Sequence, residues 1–199
     1  MLSDFAIRAY IGEQKFNEYI SNSALTDMSL ALATYEFDIQ LRGLLMSALG
    51  VLEVGLCAQL IQTGNSATFS SFGHARKVLA HSGKATRETI SRNLGARNYK
   101  ALRGALQNLN HLRNRVAHHE RVWNHRNPFA FPELGLKQSG SAAPLKTNRH
   151  TLAWSLIGIG HILSAYPPLI EFEKLLEELL TKTPIDRGFL LRSMGFEVP

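Results

Sequence analysis

Fifteen consecutive residues, HLRNRVAHHERVWNH at 111–125, hold four histidines, three arginines, two asparagines and a tryptophan. Histidine transfers protons near neutral pH, and arginine presents a permanent charge in a planar fork that suits phosphate oxygens. Together they suit metal-free cleavage of RNA. That reaction needs a proton taken from a 2′-hydroxyl, a proton given to the leaving 5′-oxygen, and positive charge on the phosphoryl oxygens. On a helix, Asn114 and His118 stand four residues apart and share a face. Arg113 and His118 stand five apart, about 140° around an ideal helix, so their meeting relies on arginine's length or on a second chain.

Other chemistries fit less well. His111 and His118 are seven residues apart, two helical turns, and the neighbours His118 and His119 point in different directions. The i, i+4 histidine pair of a helical zinc site is missing, so neither a metal nor a cofactor is expected. No Gly-x-Ser-x-Gly elbow occurs, and Glu120 has no carboxylate neighbour with which to form an acid–base pair. Cys57 is the only cysteine, so no intrachain disulfide forms, and a reducing cytoplasm is expected.

Charge points the same way. Between residues 97 and 126, Arg97, Lys100, Arg103, Arg113, Arg115, Arg121 and Arg126 face Glu120 alone, so this window carries the chain's whole net charge of +6. Such a local excess favours a polyanion, usually nucleic acid, with Arg103, Arg115, Arg121 and Arg126 as candidates to guide its backbone. Trp123 reads as core packing rather than a stacking platform, and His150 and His161 as structural.

These residues must be positioned by helices, because no alternating β-branched run bounded by hairpin turns occurs. The apolar spacing predicts helices over 4–21, from a cap at Thr26 or Asp27 to about Gln62, and over 74–81, 85–94, 98–118, 150–165, 168–181 and from Thr183-Pro184 to about Met194. The stretch 127–148, rich in Pro, Gly, Ser and Asn, reads as a loop. No apolar run reaches the roughly eighteen residues that span a bilayer, and no basic n-region with an apolar core opens the chain. One all-helical domain over 1–199 is expected, with no membrane partner.

Arg113-Asn114-Arg115-Val116-Ala117-His118 matches the R-x4-H pattern, with Asn after Arg, and resembles the motif of the HEPN superfamily of helical ribonucleases. The longer string LRNRVAHHERVWN resembles more specifically the Abi-like (abortive infection) bacterial proteins. So do TYEFDIQLRGLLMSALGVLEVGL at 34–56, LAWSLIGIGHIL at 152–163 and FLLRSMGF at 189–196. The resemblance implies an all-α, HEPN-like bundle with one long central helix, dimeric, with two R-x4-H motifs meeting in one cleft. It implies metal-independent endonuclease cleavage of RNA, leaving 2′,3′-cyclic phosphate and 5′-hydroxyl ends, and a role in phage defence. His118 would then be the general acid or base, Arg113 would neutralise the phosphate, and Asn114 would orient the histidine. His119 would support them, or replace His118 in an R-x5-H register. The alternative within the same resemblance is a non-catalytic module that binds RNA or protein, with a noncoding RNA or an antitoxin as partner.

Overall fold

A computed structural model of the chain describes residues 4–21, 28–64, 68–134, 143–144, 146–166 and 170–198. Among them the helices are α1 (Asp4–Ile11), α2 (Glu13–Ser21), α3 (Met28–Gln62), α4 (Phe72–His81), α5 (Lys84–Asn93), α6 (Tyr99–Ala117), α7 (Leu152–Leu163), α8 (Phe172–Lys182) and α9 (Arg187–Met194). No strand forms among the described residues, only two isolated bridges, Arg126 with Thr151 and Pro144 with Phe196. The architecture is all-α around one long helix, as the periodicity predicts.

The 35 residues of α3 run through the middle of the molecule, roughly 50 Å at the usual helical rise. Leu41, Leu45, Leu49, Leu52, Leu56 and Leu60 recur at three- and four-residue steps and are fully buried. They meet α4, α6, α7 and α8, while α2 packs near the start of the helix. This makes α3 the shared wall of one continuous core that reaches from Tyr19 to Phe196. The expectation about bilayer-spanning runs needs correcting here. By length and composition α3 is sufficient to cross a membrane, with mean hydropathy 2.0 over its best window, because the isolated Glu53 scarcely lowers the average. That window is 44% buried against the other helices, which accounts for its leucines as core.

Several boundaries differ from expectation for local reasons. The segment 4–21 is two helices, because Gly12 takes a left-handed conformation (φ +85) and breaks the ladder between them. α4 starts two residues earlier than predicted, since the Ser71 side chain accepts the His74 N–H and caps the first turn. α8 begins only at Phe172. The cap positions Thr26 and Asp27, the Pro167-Pro168 stop and most of the 135–148 stretch lie outside the described residues.

The loop after α6 is tied down through α6 itself. Asn108, fully buried, donates from Nδ2 to the Phe129 carbonyl (2.6 Å), and its Oδ1 accepts from Ser155 Oγ (2.8 Å). Asn127 donates back to the Asn108 carbonyl (3.0 Å). A buried amide with these bonds made fixes the chain's exit from α6 against α7.

Candidate active site

The basic stretch straddles the end of α6, and the way that helix stops decides where its side chains go. Asn98 caps its start by accepting the Ala101 N–H (2.9 Å). At the other end His118 is the C-cap, and His119 adopts a left-handed conformation, φ 55. The Glu120 N–H bonds the Arg115 carbonyl (3.0 Å) and the His119 N–H bonds that of Val116 (3.1 Å). This is the two-bond stop that usually employs glycine. A non-glycine residue held there costs on the order of 1 kcal/mol.

The surroundings over-determine that conformation. The His119 carbonyl accepts from Arg42 Nη1 (2.5 Å) and from Lys15 Nζ (3.1 Å). Arg42 is in turn ion-paired with Asp38 (3.3 Å), one turn earlier on α3. Asp38 is fully buried and accepts the Tyr19 hydroxyl (2.6 Å) and the backbone N–H groups of Val122 (3.0 Å) and Trp123 (2.6 Å). Burial pushes the Asp38 carboxyl up, against the lowering effects of Tyr19, the Trp123 N–H, Arg42 and the Val122 N–H. Burial first, and then Asp38's charge and hydrogen bond, hold the Tyr19 phenol far above its ordinary range, so Tyr19 keeps its proton and donates it. One carboxylate and one guanidinium of the central helix thus clamp both sides of the turn 119–123.

The site residues divide between two clefts. Arg113 and Asn114 line an opening of about 490 Å³ beside the first turn of α4. His118 and His119 line another, about 450 Å³, with Arg115, Arg121 and Lys15. Both histidines are exposed, as is Asn114. Within the chain no hydrogen bond joins the Asn114 side chain to the His118 ring; only its carbonyl accepts the His118 N–H (3.0 Å). Arg113 lies across α3 from Glu53, with Nε 3.7 Å from the carboxylate. Arg103 and Arg126 are exposed and line neither cleft.

Two of the arginines expected to guide RNA also have structural partners. Arg115 pairs with Glu120 (2.5 Å) and donates to the Arg121 carbonyl (2.8 Å), closing the turn on itself. Arg121 donates to the Glu18 carbonyl at the end of α2 (2.8 Å) and lies over the Tyr19 ring. Their charge still faces the second cleft, but part of each fork is engaged. Trp123 is fully buried with Nε1 on Ser193 Oγ (2.9 Å), which is the core role expected of it. His150 and His161 bond the carbonyls of Asn127 (2.8 Å) and Gly95 (3.0 Å).

The remaining two histidines of the stretch stack on each other. The His111 and His125 rings lie 5.6 Å apart at 28°, with Phe129 edge-on to His111. Their Nε2 atoms are buried and have no partner among the described residues. Burial, then Arg115, His111 and Arg121, push His125 down to about 4, and burial with Arg115 lowers His111. Among the described residues no three His, Cys, Asp or Glu side chains converge as ligands for an ion.

Asp38, Arg42 and Lys15 were not anticipated as site residues. An Asp and an Arg four apart inside a leucine-rich helix are the trace they leave in the sequence, because buried charges persist only when paired. Their targets, the His119 carbonyl for Arg42 and Lys15 and the Val122 and Trp123 N–H groups for Asp38, leave no trace there.

A family model described as Abi-like protein matches residues 65–124, which run from just after α3 through α4, α5, α6 and the clamped turn. The similar strings at 34–56, 152–163 and 189–196 lie outside that match. No curated protein and no solved structure shows significant similarity to the chain. Every residue lining the Arg113 cleft falls within the matched stretch, as do His118 and His119, and across residues 65–124 the chain is similar to Abi-like proteins.

Proposed function

We propose that this Abi-like protein is a metal-independent endoribonuclease of the HEPN type, acting in an abortive-infection response with a site completed by a second copy of the chain. The observation that carries this reading is the fixed turn at the end of α6. It holds two exposed histidines in a cleft where Lys15, Arg115 and Arg121 outnumber Glu18 and Glu120, on a backbone clamped by Arg42 and Lys15. Such preorganisation is what proton transfer to and from a bound substrate requires. Arg113 and His118 of one chain open into different clefts, so a site using both draws them from two chains. The outward side of α3 suits such pairing. Ile39, Met46, Val54 and Ile61 are exposed at steps of seven or eight residues, and no charged residue is exposed between them.

RNA cleavage in excess EDTA, with product ends identified by mass, tests the reading. Cyclic phosphate ends that persist under EDTA, and a loss of about a hundred- to ten-thousand-fold in His118→Ala, are the expected outcome. Activity abolished by EDTA, or unchanged in both His118→Ala and His119→Ala, overturns it. The separation of Arg113 from His118 also favours a second reading, a module that binds RNA without cutting it. Retained RNA binding with no cleavage by the parent chain would select that reading.

A further inference from the structure

The histidine that shares a cleft with Arg113 and Asn114 inside one chain is His74, on α4. We propose that the cleft between the first turn of α4 and α6 receives a phosphodiester of single-stranded RNA, with His74, Arg76, Lys77 and Arg113 as its contacts. The proposal rests on RNA being the partner, and it gives that partner a second seat, apart from the His118 turn.

Four observations converge there. The lining brings three cations together, Arg76, Lys77 and Arg113, and among the described residues the one carboxylate paired with any of them is Glu53. Arg76 Nε is buried and has no described hydrogen-bond partner, so one donor of a guanidinium in this lining is unanswered. Leaving such a donor unpaired is costly, and an anion's oxygen would answer it.

Third, the α4 N-terminus opens at the same place. Ser71 Oγ takes the His74 N–H and its carbonyl takes the Ala75 N–H, whereas the N–H groups of Phe72 and Gly73 have no helical acceptor. Gly73 keeps the entrance clear, since a Cβ there would lie 3.1 Å from Asn110 Oδ1 on the facing helix. N–H groups without a helical acceptor, at the positive end of a helix dipole, complement phosphate oxygens, and here they adjoin the cations rather than standing alone.

Fourth, His74 is oriented. The Ser70 backbone N–H approaches its Nδ1 (3.4 Å), and Ser70 Oγ lies 3.2 Å from the same atom. A donor to Nδ1 makes that nitrogen an acceptor and places the neutral ring's proton on Nε2, which has no described partner. Nε2–H is therefore free to donate to a phosphate oxygen. The Asn110 and Asn114 side-chain amides on α6 are within the same lining and suit a 2′-hydroxyl, which both donates and accepts.

The test is fluorescence anisotropy with a labelled single-stranded RNA and the DNA of the same sequence, using the full chain. The double variant Arg76→Ala, Lys77→Ala should weaken RNA binding about tenfold or more and flatten its salt dependence. His74→Gln should weaken it several-fold, and Lys174→Ala on α8 should leave it within about twofold. If Arg76→Ala, Lys77→Ala binds as the parent does while Arg115→Ala and Arg121→Ala bind more weakly, the RNA seat is at the His118 turn and this cleft is overturned. Binding that weakens as expected, in a parent that cuts no RNA, upholds the cleft and removes the ribonuclease reading instead. Equal affinity for DNA, or no RNA binding by the parent, overturns the proposal. Circular dichroism of each variant separates lost binding from lost fold.

Discussion

His119 shows how a single residue is held where its backbone is strained. Its left-handed conformation is retained because two cations grip its carbonyl and two turn hydrogen bonds close around it. Replacing it by glycine removes the strain without touching those bonds, so His119→Gly should raise unfolding free energy by about 0.5–1 kcal/mol in urea titrations. An unchanged or lower stability would show that the ring contributes packing that outweighs the strain. His125 behaves differently. Its ring, half-buried against His111 and close to Arg115, is pushed down from 6.5 to about 4. The folded chain therefore refuses a proton that the unfolded chain accepts below 6.5, and stability declines as pH falls from 6.5 toward 4. The loss attributable to this residue is roughly 2–3 kcal/mol, with His111 adding in the same direction. Thermal unfolding between those pH values should show a slope that His125→Phe reduces; an identical slope in the variant would assign it to other groups.

At the level of elements, α3 serves two ends at once. Its leucines form the wall against which α4, α6, α7 and α8 pack, and its two buried charges reach the turn after α6. Asp38→Asn keeps the side chain's shape but removes the charge that Arg42 pairs with, leaving a buried guanidinium uncompensated. A loss of about 3 kcal/mol in chemical denaturation is expected, since breaking a buried pair from one side costs far more than an exposed one. The turn should loosen with it, so hydrogen exchange at residues 119–123 should quicken more than at α7. A uniform change across both would show that Asp38 supports the global core and not the turn in particular.

At the scale of the whole molecule, the separation of Arg113 and His118 into different clefts is the property that matters most. A hybrid made by co-refolding Arg113→Ala and His118→Ala chains tests the two-chain reading directly. If Arg113 of one chain works with His118 of the other, the hybrid keeps one intact pairing and regains up to about a quarter of parental activity, given statistical mixing and symmetric pairing. Each variant alone stays inactive. Failure of the mixture to recover activity, with dimers confirmed by sedimentation, would place both residues in one chain's site. Sedimentation of the parent also tests the exposed face of α3, because Met46→Glu and Val54→Glu should drive a dimer toward monomer without unfolding it.

Much of this could be read from residue order because it depends on local periodicity. Apolar steps of three and four placed α3 and α6, and the R-x4-H string with its flanks pointed to Abi-like proteins, as the match over 65–124 bears out. The five-residue spacing of Arg113 and His118 left their meeting to arginine's length or to a second chain, and within this chain the two line different clefts. What depends on distant contact was decided only by packing. Gly12 breaks the first segment, and only packing shows that 44% of α3's most apolar window is buried against other helices. Asp38 and Arg42 become part of the site only when α3 lies against a turn some eighty residues further on. The same holds for His74, forty residues from Asn114 in sequence yet lining the same cleft. Periodicity reports which face of a helix is buried; which helix meets that face, and which backbone atoms a buried charge reaches, follow from how the faces fit together in three dimensions.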